Sequence, residues 1–154
     1  MCSRRLKIKI PPGIPIYGDI LYRDKKCRQE SSEQQEYFLW LKENRPKLHA
    51  IAIHPKNEGK RSFQQAALDR AQGSLNKGAS DIIIPALMPF VCELKRVDHT
   101  CKGVTMRTDQ VAYLNSARDM GAFICIALGA KAAIEATLAW EVKNKELIVK
   151  IAYK

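Results

Sequence analysis

The stretch "GASDIIIPALMPFVCELKR", Gly78 to Arg96, decides how the chain is read. Two apolar runs, Ile82-Ile83-Ile84 and Phe90-Val91-Cys92, flank a short proline-bounded connection at 85–89. Runs of β-branched and aromatic residues bracketed by turn formers read as strands. Alternation in the second run puts Phe90, Cys92 and Leu94 on one face and Val91, Glu93 and Lys95 on the other. Asp81 opens the first run twelve positions before Glu93, so a hairpin would bring the two carboxylates close. Charge in a buried strand is costly unless it is paired. These three side chains therefore either face solvent or line a site. Two convergent carboxylates repel, and each favours its proton unless a cation lies between them. A hard divalent ion with oxygen ligands, Mg²⁺ in a cell, meets that need. A lysine beside such an ion makes a phosphate-facing site. The ion polarises a phosphoryl oxygen and acidifies a bound water. The ammonium orients that water or offsets charge on phosphorus. Glu-x-Lys alone is a common chance pattern, so a solvated strand face stays open on spacing alone.

Working outward, "SSEQQEYFLWLKENRP" predicts a helix capped by Ser31 or Ser32 and followed by Pro46. Tyr37, Trp40 and Leu41 form its apolar stripe, with Glu33 on the Tyr37–Trp40 side and Glu36 toward the edge. "LHAIAIH" (48–54) reads as a strand, "PKNEGKRS" (55–62) as a basic, turn-rich loop, and "SFQQAALDRAQGSL" as a helix ending near Gly73. "TDQVAYLNSARDMG" (108–121) predicts a helix capped by Thr108 and stopped at Gly121. "AFICIAL" is a strand buried on both faces, "AKAAIEATLAWEV" a helix, and "ELIVKIAYK" an edge strand. In residues 1–30, "RLKIKI" and "YGDILYRD" read as two strands of a loose hairpin or arm. Contact with phosphate and a solvated tail are both open for that arm. Residues 31–154 form a single globular domain. The mixed order of elements predicts an α/β fold with a mixed central β-sheet flanked by helices.

A chain of 154 residues fits one domain and buries about two thirds of its unfolded surface without a staple. Its 26 Lys and Arg against 16 acids give a charge of +10, which draws it to a polyanion, most commonly nucleic acid. Five cysteines, Cys2, Cys27, Cys92, Cys101 and Cys125, with no CxxC pair, argue against a zinc cluster and a disulfide framework. The basic N-terminus lacks an apolar run, and Ala122–Trp140 is broken by Gly129, Lys131 and Glu135. The expectation is a soluble cytoplasmic protein with no membrane partner.

"GASDIIIP", "FVCELKR" and "TDQVAYL" together resemble the PD-(D/E)xK nuclease pattern, and more narrowly the stand-alone, phage-type VRR-NUC (virus-type replication–repair nuclease) domain. The resemblance runs from about Glu33 to Trp140. It takes in "EQQEYFLWL", "HPKNEGKRS", a downstream Gln110 and "GAFICIALG". Ser80 stands where the family has Pro, and Pro55-Lys56 where it has an apolar residue and then Pro. The resemblance implies a restriction-endonuclease-like core. It implies that Asp81, Glu93 and the Leu94 main-chain carbonyl bind Mg²⁺, with Mn²⁺ able to substitute and no organic cofactor. Lys95 becomes the catalytic lysine, and Gln110 holds Lys95 or the attacking water. A first-helix acid, Glu33 with Glu36 as the alternative, completes the site. Gln110 can equally serve the backbone of its own helix N-terminus. Asn57, Lys60, Arg61 and Ser62, with Lys77 and Arg96, are candidate DNA-backbone contacts, or else part of a charged surface. His54 lies near the site or is structural. The implied activity is that of a metal-dependent endodeoxyribonuclease leaving 5′-phosphate ends. It would be structure-selective on branched DNA such as four-way junctions and would act as a homodimer in phage or prophage replication, recombination or repair. A basic nucleic-acid-binding protein with structural acids is the competing class. A nicking or restriction-type nuclease is a third.

Overall fold

The computed structural model describes residues 11–55, 62–73, 76–101 and 105–153. The strand expected at "RLKIKI" falls outside them. A four-stranded sheet is built from β1 (Ile16–Tyr17), β2 (Ile82–Ile84), β3 (Phe90–Lys95) and β4 (Phe123–Leu128), in the order β1-β4-β3-β2. Around it lie α1 (Glu30–Asn44), α2 (Pro46–His49), α3 (Phe63–Ala71), α4 (Thr108–Asp119) and α5 (Ala130–Ala152). β2 and β3 form the expected antiparallel hairpin, pairing Ile82 with Cys92 and Ile84 with Phe90. β3 runs parallel to β4, and the chain between them passes through α4. Parallel strands need such a crossover, and helices on both faces make β4 a continuous apolar run. The sheet is mixed and flanked by helices, as the order of elements predicts.

The alternation in β3 sorts side chains between two cores. Phe90, Cys92 and Leu94 pack with Tyr37 and Leu41 of α1 and Ala133, Ala136 and Trp140 of α5. Val91 packs on the other face with Leu114 of α4 and Ile124 and Ile126 of β4. Each fully buried aliphatic or Phe side chain contributes about 1.5–3 kcal/mol, so these two layers hold β3 rigidly between them. The small residues at the start of α5 let that helix approach the sheet closely. The Tyr37 hydroxyl is satisfied in the core by Thr137 Oγ1 at 2.8 Å.

Several expectations are corrected. α1 begins at Glu30 with Gln29 as its N-cap, so Ser31 and Ser32 lie inside the helix and cap nothing. Glu30 and Glu33 in its first turn complement the helix dipole, which favours the earlier start. Thr108 is the first residue of α4, not its cap; the Gln110 side-chain oxygen accepts from the Arg107 N–H at 3.0 Å instead. Residues 48–54 do not form a strand. Pro46 opens α2, which takes Leu48 and His49, and only Ile53 pairs with the sheet, through a single bridge to Ile83. "YGDILYRD" is not a strand beyond Tyr17. Gly18 (φ +101°) turns the chain where a Cβ would lie 2.9 Å from Leu128 Cβ, and Asp19 Oδ1 accepts from the Leu21 N–H at 2.8 Å. "ELIVKIAYK" continues α5 to Ala152 rather than forming an edge strand. No Gly or Pro follows Trp140, and propagating a formed helix needs no new nucleus.

Gly78 fixes how the Asp81 strand meets α4. Its φ is +88°, and an added Cβ would fall 2.4 Å from the Asp109 carbonyl oxygen. Gly78→Ala is therefore expected to destabilise the fold by about 2–4 kcal/mol, from strain and backbone overlap together. A urea midpoint unchanged from wild type would contradict this.

Candidate active site

The β2–β3 register, continued by one pair beyond Ile82–Cys92, sets Asp81 opposite Glu93. Directly opposed residues of an antiparallel pair point to the same face. Asp81 Oδ2 accepts from the Leu94 N–H at 2.9 Å, which brings the Leu94 main chain to the edge of the site. Glu93 is fully buried. Its Oε1 accepts from Lys95 Nζ at 2.8 Å and from the side-chain amide of Gln110. Its Oε2 is buried with no hydrogen-bond partner among the described residues. Lys95 is buried too, and its Nζ lies 3.8 Å from Glu30 Oε1. Gln110 serves the backbone of its own helix, and its amide donates to Glu93 rather than holding Lys95 as expected.

These contacts set the charge states. Burial, and then the charge of Asp81, push Glu93 up to about 8 against the opposing pull of Lys95. For Lys95, burial alone would lower the pKa, but Glu93, Glu30 and Asp81 outweigh it and hold the ammonium above its usual range. Without a metal ion, Glu93 keeps a proton at neutral pH and Lys95 stays cationic.

Asp81, Glu93, Lys95 and Gln110 thus come together. Glu33 does not join them. It is 2% exposed, its Oε2 accepts from the Ala130 N–H at 2.8 Å, and Arg28 grips both its oxygens at 3.2 and 3.1 Å. It closes the N-terminus of α5, where the dipole favours an anion. Glu36, the alternative acid, pairs with Arg28. The first-helix acid beside Lys95 is Glu30, which the sequence reading missed. The signal was present: Glu30 lies one turn before Glu33 on the same helix, just ahead of the segment read as helical. Removing Glu33 by Glu33→Ala is expected to cost about 2–4 kcal/mol, because the Ala130 N–H and Arg28 both lose a buried acceptor. Thermal unfolding checks this; a midpoint within 1 °C or so of wild type would contradict it.

Of the candidate DNA contacts, Asn57, Lys60 and Arg61 lie outside the described residues. Ser62 caps α3, its hydroxyl accepting from the Gln65 N–H at 3.1 Å. Arg96 is half-buried and donates to the Cys27 carbonyl. Lys77 is exposed and lines a groove with Asn76, Asp109 and Tyr113. His54 Nδ1 lies 2.8 Å from the Asp81 carbonyl oxygen; a carbonyl only accepts, so Nδ1 carries the proton and His54 buttresses the Asp81 backbone. Ser80 is fully buried, and its hydroxyl has no partner among the described residues.

Among the described residues no three His, Cys, Asp or Glu side chains gather into a metal cluster. The donors at hand are two carboxylates and main chain. That set suits Mg²⁺, which takes one or two protein carboxylates and fills its octahedron with water and phosphate oxygens. The orphaned Glu93 Oε2 is the atom that such an ion would satisfy.

A solved structure described as a VRR_NUC domain protein superposes with a TM-score of 0.58 at 18% identity, over 77% of this chain and 92% of that chain. No family model and no curated protein matches the sequence. The fold is therefore VRR-NUC-like, an α/β arrangement of a mixed four-stranded sheet flanked by helices. No helix among the described residues is long and apolar enough to cross a membrane.

Proposed function

We propose that the chain is a metal-dependent endodeoxyribonuclease of the PD-(D/E)xK type, hydrolysing DNA phosphodiester bonds with Mg²⁺, for which Mn²⁺ substitutes. The observation that carries this reading is the buried Glu93, opposite Asp81. One of its oxygens is held by Lys95 and Gln110, and the other has no partner among the described residues. Asp81, Glu93 and the Leu94 carbonyl would hold the ion, which when bound supplies electrophilic activation of the phosphate and a more acidic water. Glu93 would give up its proton to serve as a ligand. Lys95 is then a fixed cation next to the carboxylate, placed to orient a water and to offset charge that builds on the non-bridging phosphate oxygens. Gln110 holds the Glu93 carboxylate in one rotamer. Glu30 adds a second anion that keeps Lys95 protonated.

The finer reading is a homodimer that cuts branched DNA such as four-way junctions in phage or prophage replication, recombination or repair. It is supported by the +10 charge and by the motif resemblance. A four-way junction, a flap and a plain duplex incubated with Mg²⁺, Mn²⁺ or EDTA test it. Cutting is expected with either metal, none in EDTA, and the junction should be cut fastest. If neither metal supports cutting while the DNA still binds, the chain is a basic binding protein and the acids are structural.

A further inference from the structure

Away from the site, Cys27 and Cys101 stand with their Sγ atoms 3.8 Å apart although 74 positions separate them in sequence. Cys27 lies in the loop that leads into α1, and Cys101 in the turn after β3. Both are free and half-buried, within reach of a small reagent, whereas Cys92 and Cys125 are buried in the core. Other groups hold the two loops together. Asp98 Oδ2 accepts from the Asp24 N–H at 2.9 Å, Arg96 donates to the Cys27 carbonyl, and Cys101 Sγ lies 3.8 Å from the Asp24 carbonyl oxygen. The first two of these contacts keep the loops together without involving either sulfur. A bond of about 2.05 Å requires the two sulfurs to close by roughly 1.8 Å from there. An odd cysteine count with no CxxC pair argues against a framework of disulfides, not against one exchangeable pair.

We propose that Cys27 and Cys101 form a reversible disulfide, a latch between the loop before α1 and the turn after β3. The oxidant is a low-molecular-weight disulfide of the oxidised-glutathione class. One protein thiolate attacks it, breaking its S–S bond and releasing one small thiolate. The second protein thiolate attacks the mixed disulfide, forming the Cys27–Cys101 bond and expelling the other small thiolate. Two protein thiols are oxidised, one small disulfide is reduced to two thiols, and the two cysteine protons pass to those products. The latch would fasten the segment carrying Arg28 and Glu30 to the turn beyond Lys95. It does not depend on the nuclease reading.

The test incubates the full chain with excess oxidised glutathione or with dithiothreitol, then blocks free thiols, digests, and analyses the peptides by mass spectrometry. A Cys27–Cys101 linked peptide is expected after oxidation and none after reduction. The unfolding midpoint is expected to rise by about 5 °C or more on oxidation, because the bridge closes a long loop of the unfolded chain. Cys27→Ser and Cys101→Ser should each abolish that shift while leaving the reduced midpoint within about 2 °C of wild type. Separate glutathione adducts on the two thiols, a link between chains, or a link through Cys92 or Cys125 would each overturn the proposal. The wild-type peptide map decides the matter even if a serine variant folds poorly.

Discussion

Lys95→Ala is expected to slow DNA cleavage by about three orders of magnitude, while junction binding stays within about threefold of wild type. The lysine is buried, its Nζ 2.8 Å from Glu93 Oε1 and 3.8 Å from Glu30 Oε1, so its charge is held in one place and acts at short range. A preorganised cation in such a site stabilises developing charge far more than a mobile surface lysine does. On the proposed reading, DNA binding would draw instead on the exposed basic surface, whose phosphate contacts would set affinity and its salt dependence. Deleting one member of a buried ion pair usually costs about 3–5 kcal/mol. Here the cost is smaller, because Glu93 can keep its proton at neutral pH instead of being stranded as an anion. Lys95→Met, which preserves the stem, controls for packing. Cleavage by both variants within tenfold of wild type would remove Lys95 from the mechanism.

The second large effect is expected in metal-free protein, where Asp81→Asn should raise stability at pH 8 by about 1–3 kcal/mol. Glu93 is raised from 4.5 to about 8 by burial and by the Asp81 charge. A carboxyl with a raised folded pKa favours the folded state while protonated. Its contribution is whole below about 4.5 and declines as pH climbs to about 8. The Lys95 shift lies above 10.5 and adds no slope in that window. Removing the Asp81 charge lowers the Glu93 pKa and flattens the decline, while the asparagine oxygen can still accept the Leu94 N–H. Mg²⁺ should stabilise the wild type at pH 8, releasing about one proton per ion near pH 7, and should do little for the variant. Calorimetry in EDTA showing Asp81→Asn less stable than wild type at pH 8 would contradict the account.

The juxtaposition of Asp81 and Glu93 was legible because it rests on local geometry. Period-two alternation and two bracketing prolines define the β2–β3 hairpin, and that register alone sets Asp81 opposite Glu93. The continuous apolar run of β4 likewise announces a strand covered on both faces. What was not legible depends on distant parts of the chain. Glu30 and Glu33 are three residues apart on one helix, and nothing local says which faces Lys95. The α5 N-terminus decides it, since the Ala130 N–H needs an acceptor and Glu33 supplies it. The C-terminal segment of α5 carries residues with strand preference, but the helix already formed ahead of them carries on through. Gly18 and Asp19 turn the chain out of a segment whose composition suits a strand, and only the close approach to Leu128 shows why.

The central claim is that Asp81 and Glu93 share a divalent ion beside Lys95. Anomalous diffraction from crystals soaked in Mn²⁺ tests it most directly. The expected result is a manganese peak bound by Asp81, Glu93 and the Leu94 carbonyl, with Glu93 Oε2 among its ligands. A well-ordered site with no peak there at saturating Mn²⁺, or manganese bound elsewhere while Glu93 stays paired only with Lys95 and Gln110, would contradict it.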